Sequence, residues 1–342
     1  MLRLRAFIKV MPILKATKVR KHSNASRLTE KRWGKMEQQN KSKQSFKIIL
    51  LLFLAIGLVI SFLPFGAGTS WRHIFSFFGL NDFSSAADSS PLSVHVLEVG
   101  KADCIFIECK GKYMLVDGGT TDCGEPVSEY LDRRGVERLD YIINTHPDKD
   151  HIGGLATIIA KYDIGSYLAP KIPASLIPVS EEYVHTQKAL EKKNMRITTP
   201  NPLDTFDLNG LKIEVLAPLK QGDSTNNNSI VLRLAYGKTR FLLMGDAEKE
   251  EEADLLASGY DLSADVLKVG HHGSRTSTTE EFIRKVKPHY TAISVADDSN
   301  HLPKKEVLKR LKSTESEVLR TDVNGTLIFM SDGQTISVVT AR

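Results

Sequence analysis

The sequence predicts an α/β domain in which two β-sheets pack face to face with helices on their outer sides, an αββα sandwich, preceded by one transmembrane helix. Three observations predict it. Strand-like apolar runs followed by helical segments occur twice in succession along residues 92–342. Three of those runs leave their strand on histidine or aspartate followed by glycine and a helix-like segment. A single uncharged stretch, Ile48 to Phe65, stands well ahead of all of them.

The front of the chain comes first in that order. Residues 1–47 carry fourteen Lys or Arg against two Glu, a net of +12. The stretch IILLLFLAIGLVISFLPF, extended by Gly66 to Trp71, is apolar on every helical face and long enough to cross a bilayer. The positive flank holds residues 1–47 in the cytoplasm, so residues 48–71 read as a signal anchor and the rest of the chain as external. A cleaved secretory signal is the rival. The small residues Ser84 to Ala87 would serve it, but they lie too far from the apolar run, and the basic lead is long for a signal peptide. Met36 offers an alternative start to Met1, and no function is drawn from the first 35 residues. Residues 72–91, ending in the small polar run Phe83 to Pro91, form a juxtamembrane segment and linker.

Residues 92–342 suit one domain. Strands are expected at 92–98, 104–109, 113–117 and 139–143, with a hairpin at Lys110–Lys112 and a helix after Gly124. A second series follows near 211–217, 229–235, 240–244 and 265–269. Helices are expected near 247–257, 279–286 and 303–311, and a closing hairpin around Ser331-Asp332-Gly333. Cys104, Cys109 and Cys123 cannot all pair. The parity of Cys104 and Cys109 puts them on opposite faces of one strand, and the count argues against a disulfide scaffold.

The chemistry concentrates after the fourth strand. Thr145-His146-Pro147-Asp148-Lys149-Asp150-His151-Ile152-Gly153-Gly154 packs two histidines and two carboxylates into six residues at the exit of an apolar run. A polar turn with a helix cap needs Asp150 alone, and leaves both histidines and the Gly-Gly unexplained. Imidazole with carboxylate is a ligand mixture for Zn²⁺ or for a harder ion such as Mn²⁺. Further donors follow the same design: Asp246 ends the run Phe241 to Gly245, and His271 and His272 end Val266 to Gly270.

The order H-x-D-x-D-H, an Asn-rich segment before Ser-Ile-Val-Leu, Gly-Asp and then His-His-Gly-Ser resembles the metallo-β-lactamase superfamily. It is more narrowly similar to its ComEC-type branch, the domain attached to bacterial DNA-uptake channels and also found as free-standing hydrolases. The resemblance covers roughly Leu92 to Val339. Val94 to Asp103 is similar to that branch's opening strand and turn, with Gly-Lys-Ala-Asp in place of the usual Gly-Gln-Gly-Asp. Tyr113 to Gly119 resembles its third strand and Asp-Gly turn, and Arg320 to Gly325 its closing strand pair. The resemblance implies the metallo-β-lactamase fold and a shell of His146, Asp148, Asp150, His151, Asp246 and one of His271 or His272. Asp246 would bridge two divalent ions, with Asp117 and Asp103 behind the ligands. Asp148 stands where the superfamily usually has histidine, which shifts the expected ions from strictly Zn²⁺ toward Mn²⁺. No histidine between His151 and Asp246 is placed as a ligand, since His185 falls on a surface helix. Asn226, in the Asn226-Asn227-Asn228 run, is the candidate in its place, a weak neutral oxygen donor. Adjacent residues at a strand end point to opposite sides, so one of His271 and His272 would ligate and the other face elsewhere.

Two close cations lower the pKa of water until hydroxide is available at neutral pH, and hold the leaving oxygen of a substrate. The expected activity is therefore metal-dependent hydrolysis, with Asp150 and Asp246 central and Ser274 placed to hold an anionic oxygen. A phosphodiester is the leading substrate class and DNA its leading example. The rivals are a small-molecule or cell-envelope ester or lactam, and a DNA-uptake accessory without turnover. Charge weighs against long polyanions: the chain is +5 overall, so residues 48–342 carry −7. The membrane is the expected partner, and no protein partner is inferred.

Overall fold

The computed structural model describes residues 90–342. The basic tail (1–47), the apolar segment (48–71) and the linker (72–91) except its last two residues lie outside them, so the predicted anchor and its orientation do too. Among the described residues, no helix is long and apolar enough to cross a membrane.

The expected strand series forms two sheets. The first opens with an antiparallel meander of β1 (Leu92–Val96), β2 (Ile105–Cys109) and β3 (Lys112–Val116). It continues in parallel through β4 (Arg138–Ile143), β5 (Asp163–Leu168) and the two-residue β6 (Ile197–Thr198). Helices α1 (Gly124–Arg133), α2 (Lys149–Ile152), α3 (Leu155–Lys161) and α4 (Glu181–Lys192) supply the crossovers. The second sheet repeats the scheme. Antiparallel β7 (Thr205–Leu208), β8 (Leu211–Ala217), β9 (Val231–Tyr236) and β10 (Thr239–Leu243) lead into parallel β11 (Val266–Lys268), β12 (Tyr290–Ile293) and β13 (Glu317–Arg320). Between them run α5 (Lys249–Ala257), α6 (Glu280–Val286) and α7 (Lys305–Lys312). After a helical turn, α8 (Thr321–Asn324), the chain returns to the first sheet as the hairpin β14 (Leu327–Ser331) and β15 (Ile336–Thr340), with β14 beside β1.

Three apolar layers account for the αββα order. Val94, Ile107, Met114, Ile213, Leu234 and Phe241 pack between the sheets. Phe106, Leu115, Leu131, Leu155 and Ile159 join the first sheet to its helices, and Leu242, Leu267, Phe282, Ile283 and Leu311 join the second to its own. Both faces of each central strand are therefore covered, and the runs read as continuously hydrophobic. Cys109 faces the middle layer and Cys104 the outer one, as their parity requires; both are buried thiols and Cys123 is a half-buried one.

Two expectations change. Arg320 to Gly325 is not the closing strand pair. Arg320 ends β13 at the far edge of the second sheet and Thr321 starts a helical turn, stapled by the Thr321 hydroxyl, which donates to Val295 O at 2.9 Å and accepts from Val295 N at the same distance. Five strands escaped the prediction: β5, β6, β7, β12 and β13. All but β12 have exposed positions, and β6 and β13 are the outermost parallel strands of their sheets.

Candidate metal centre

The topology brings four strand exits together. β3 and β4 run parallel in the first sheet, and β10 and β11 run parallel in the second, so their carboxyl ends meet at one rim of the sandwich, where ligands of open α/β sheets gather. The rims are tied across the sheets by Ile230 N, which donates to Thr145 O at 2.9 Å, and within the second sheet His271 N donates to Gly245 O at 3.1 Å. Gly154 explains the Gly-Gly after His151, since a side chain there would meet the Gly118 carbonyl at 2.2 Å. Gly245 turns the chain at φ +53° and delivers Asp246, whose amide receives support from Ser229 Oγ at 3.2 Å.

Asp246 is buried at the centre. His151 Nε2 lies 3.3 Å and His272 Nε2 3.7 Å from its Oδ1. His271 Nε2 lies 3.8 Å and His146 Nε2 4.0 Å from its Oδ2. Asp150 Oδ2 is 3.7 Å from His272 Nε2, and Asp148 Oδ2 is 3.9 Å from His146 Nε2. The donors thus divide between the two oxygens of one carboxylate. His146, His151 and Asp246 each offer a donor atom within 4.8 Å of the others, and so do Asp150, His151 and His272.

All four imidazoles have a hydrogen-bond partner at Nδ1. His272 Nδ1 donates to Ser294 O at 2.8 Å, and His151 Nδ1 to Asp117 Oδ2 at 2.8 Å. The Thr145 hydroxyl spends its proton on Asp117 Oδ2 at 2.6 Å, so it accepts from His146 Nδ1 at 3.1 Å. His271 Nδ1 faces Glu248 Oε1 at 3.1 Å. Each ring then turns its Nε2 toward Asp246, the orientation that outer hydrogen bonds impose on metal-binding histidines. Nε2 of His146, His151 and His272, Asp246 Oδ1 and Asn226 Oδ1 are all buried with no hydrogen-bond partner among the described residues. A buried polar atom without a partner is costly, and divalent cations held between these groups would supply the missing partners. The residues present fit such an ion.

The charges agree. Burial works against an ionised Asp246, but His151 and His272 outweigh it and hold its pKa well below the ordinary range. Burial likewise opposes a charged His151, yet Asp246 and Asp117 raise its pKa well above that of a free imidazole. The field that keeps a proton on His151 is one that favours a divalent cation in its place. Burial and the neighbouring His151 lower the pKa of His146.

The pair His271 and His272 departs from strand alternation. Both side chains reach Asp246, one at each oxygen, because the two residues no longer lie in a strand. Their φ values are +46° and +52°, left-handed conformations that non-glycine residues rarely adopt and that concentrate at functional sites. His272 is buried, whereas His271 is partly exposed and contacts Thr276 Oγ1 at 3.2 Å and Asn226 Nδ2 at 3.5 Å.

Asp117, beside the His151 ring, also accepts from Thr145 N at 2.7 Å and Asn144 Nδ2 at 3.1 Å. Asp103 holds the rim differently. Its amide donates to Asp150 O at 3.1 Å, its Oδ2 pairs with the buried Lys268 at 2.8 Å, and its Oδ1 stands 3.7 Å from His272 Nδ1. Ser274 is not brought to Asp246: its hydroxyl accepts from Thr276 Oγ1 at 3.1 Å within its own loop. Thr279 caps α6, accepting from Phe282 N. His185 is exposed on α4.

Sequence reasoning missed Lys268, Glu248, Ser294 and Lys101. A lysine inside the apolar run Val266 to Val269 was the one available signal for Lys268. The others are assembled only by the fold. Lys101 reaches Asp150 Oδ2 at 2.5 Å.

The family model of the metallo-beta-lactamase superfamily matches residues 97–296. ComE operon protein 3 of Bacillus subtilis is 32% identical over 261 residues, 70% of this chain and 33% of its own. Recombination protein 2 of Haemophilus influenzae is 32% identical over 242 residues, 68% of this chain and 28% of its own. Competence protein ComA of Neisseria gonorrhoeae is 27% identical over 286 residues, 82% and 38% respectively. The chain therefore spans about a third of the length of these relatives.

Proposed function

The chain belongs to the metallo-beta-lactamase superfamily, and from that premise we propose that it is a metal-dependent phosphodiesterase, anchored in the membrane with its domain outside and acting on DNA or a similar polyanion. The observation that carries this reading is the carboxylate of Asp246 with two histidine nitrogens near each oxygen. In it, Asp150, His151, His272 and Asp246 would hold one ion. His146, Asp148 and Asp246, with His271 and Asn226 alongside, would hold a second. A bound pair of divalent ions supplies Lewis acidity and water of lowered pKa, chemistry suited to in-line displacement at phosphorus. Asp117 and Ser294 fix the rings of His151 and His272 so that their Nε2 atoms stay aimed inward.

The relatives' names, a competence protein and a recombination protein among them, support a nucleic-acid substrate. The net charge of −7 on residues 48–342 supports the second reading, hydrolysis of a small or cell-envelope ester or lactam. A third, binding without turnover, leaves so many convergent donors without a purpose. The test is a panel: the full chain, loaded with Mn²⁺ or Zn²⁺, is offered double-stranded DNA, bis-p-nitrophenyl phosphate and nitrocefin. Cleavage of the first two supports the proposal, and opening of the lactam with both diesters intact overturns it. For the anchor, a protease added to intact cells should remove the domain while sparing residues 1–47. Release of soluble protein starting near Asp88 would favour cleavage instead.

A further inference from the structure

We propose that Lys101 is a specificity-determining residue that holds an anionic oxygen of the substrate at the mouth of the metal centre. The inference rests on the phosphodiesterase reading and adds the recognition element that the acidic domain otherwise lacks. Lys101 lies in the turn between β1 and β2, two residues before Asp103. That turn is clamped at the rim: Leu97 N donates to Cys104 O at 3.0 Å, Asp103 N to Asp150 O at 3.1 Å, and Gly119 N to Asp103 O at 2.8 Å. The Asp103 carboxylate is held by the buried ammonium of Lys268. The base of Lys101 is thus fixed, while its side chain stays 27% exposed beside an Asp150 side chain only 13% exposed. The ammonium meets the same Asp150 Oδ2 that faces His272 Nε2.

Position and charge together define what Lys101 can recognise. Its partner Asp150 belongs to the donor set, so a divalent ion on that carboxylate takes up the negative charge that the ammonium now faces. Two cations sharing one carboxylate repel each other, and an anionic oxygen placed between them relieves that repulsion. A phosphodiester carries such an oxygen on phosphorus, next to the bond that breaks. A neutral carboxylic ester carries none. Lysine suits the task because its ammonium is a compact point charge on a flexible stem, able to follow an oxygen over a few ångströms. Two other cations in these loops are committed elsewhere. Lys268 is buried and committed to Asp103 and to the Val269 carbonyl, and Arg275 is exposed and paired with Glu306.

The experiment uses the full chain as wild type, Lys101→Gln and Lys101→Arg. Metal content is measured for each. Inorganic phosphate is then titrated calorimetrically into the metal-loaded proteins, and KM and kcat are measured for bis-p-nitrophenyl phosphate and for the neutral ester p-nitrophenyl acetate. Lys101→Gln should keep full metal content, weaken phosphate binding roughly tenfold or more, and raise KM for the diester by a similar factor, as loss of a charge-assisted contact does. Lys101→Arg should stay within about threefold of wild type, since it retains the charge. The Lys101→Gln change should raise KM for the diester by a larger factor than KM for the neutral ester. Unaltered phosphate affinity and diester KM in a metal-loaded Lys101→Gln overturn the inference and leave the phosphodiesterase reading standing. Loss of metal in Lys101→Gln also overturns it, in favour of Lys101 as a support for Asp150. A wild type that binds no phosphate and cleaves no diester overturns both.

Discussion

Oδ2 of Asp117 lies 2.8 Å from Nδ1 of His151, both side chains fully withdrawn from solvent, and the same carboxylate accepts from the amide and hydroxyl of Thr145 and from the Asn144 side chain. One residue at the end of β3 thereby sets the conformation of the loop leaving β4. It orients His151 directly and His146 through the Thr145 hydroxyl. Asp117 itself sits at φ +59°, a strained geometry held by its amide donating to Ile143 O at 2.8 Å.

Asp117→Asn should therefore lower metal affinity about 10- to 100-fold, the usual effect of removing an outer partner of a ligating histidine. It should also cost on the order of 1–3 kcal/mol of stability, because an amide cannot accept from all four donors. Calorimetric titration of metal into the variant, with thermal unfolding alongside, checks both. Wild-type metal affinity would remove Asp117 from any role behind the centre.

Removing metal should destabilise the domain. Asp148, Asp150 and Asp246 converge with unpaired imidazole nitrogens, so a bound ion favours the folded state through mass action, by about 2.7 kcal/mol at a hundred times its dissociation constant. For a domain of this size that corresponds to roughly 5–10 °C in Tm. Differential scanning fluorimetry in EDTA, then after adding back Mn²⁺ or Zn²⁺, reads it directly. An identical Tm in all three conditions would speak against a resident ion.

Much of this centre was legible in sequence because its donors sit at strand exits, where an apolar run stops abruptly on His or Asp and glycine follows. His146, Asp148, Asp150, His151 and Asp246 needed nothing more than that pattern. What strand periodicity could not convey was the left-handed turn at His271 and His272, which sends both rings to one carboxylate. Nor could a linear reading place Glu248 behind His271 or Lys101 on Asp150, contacts separated by 23 and 49 residues. The missed parallel strands have a related cause. In β5, Gly165 and Ser166 interrupt the apolar pattern, and a side chain at Gly165 would strike the Asp140 carbonyl of β4 at 2.4 Å. Pairing geometry, not β-propensity, makes that segment a strand.

A pH effect should also arise at Glu251 on α5. Its side chain is 4% exposed, and burial, with Asp254 beside it, pushes its pKa well above the ordinary carboxylate value. The folded state then keeps a proton that the unfolded chain releases. The contribution to stability is complete below the unfolded pKa and is lost as pH rises through the folded one. Glu251→Gln removes the titration, so the Tm of the variant relative to wild type should climb steadily from pH 5 to pH 8. A difference that stays constant across that range would show that Glu251 does not titrate on unfolding.

The most demanding prediction concerns Asp246. Each of its oxygens faces two histidine nitrogens, so Asp246→Ala removes the one group common to both halves of the donor set. Activity on phosphodiesters should fall by on the order of a hundredfold or more, as loss of a central electrostatic element does. Metal content should fall with it. The fold should persist, because the apolar layers between and outside the sheets do not include Asp246 and because removing a buried carboxylate relieves its desolvation. Circular dichroism and thermal unfolding of the variant establish that persistence before its activity is compared. Diesterase activity equal to wild type in a folded Asp246→Ala would assign the activity to a contaminating nuclease. Loss of activity with full metal content would instead give Asp246 a role toward substrate and leave the ions to the remaining histidines and carboxylates.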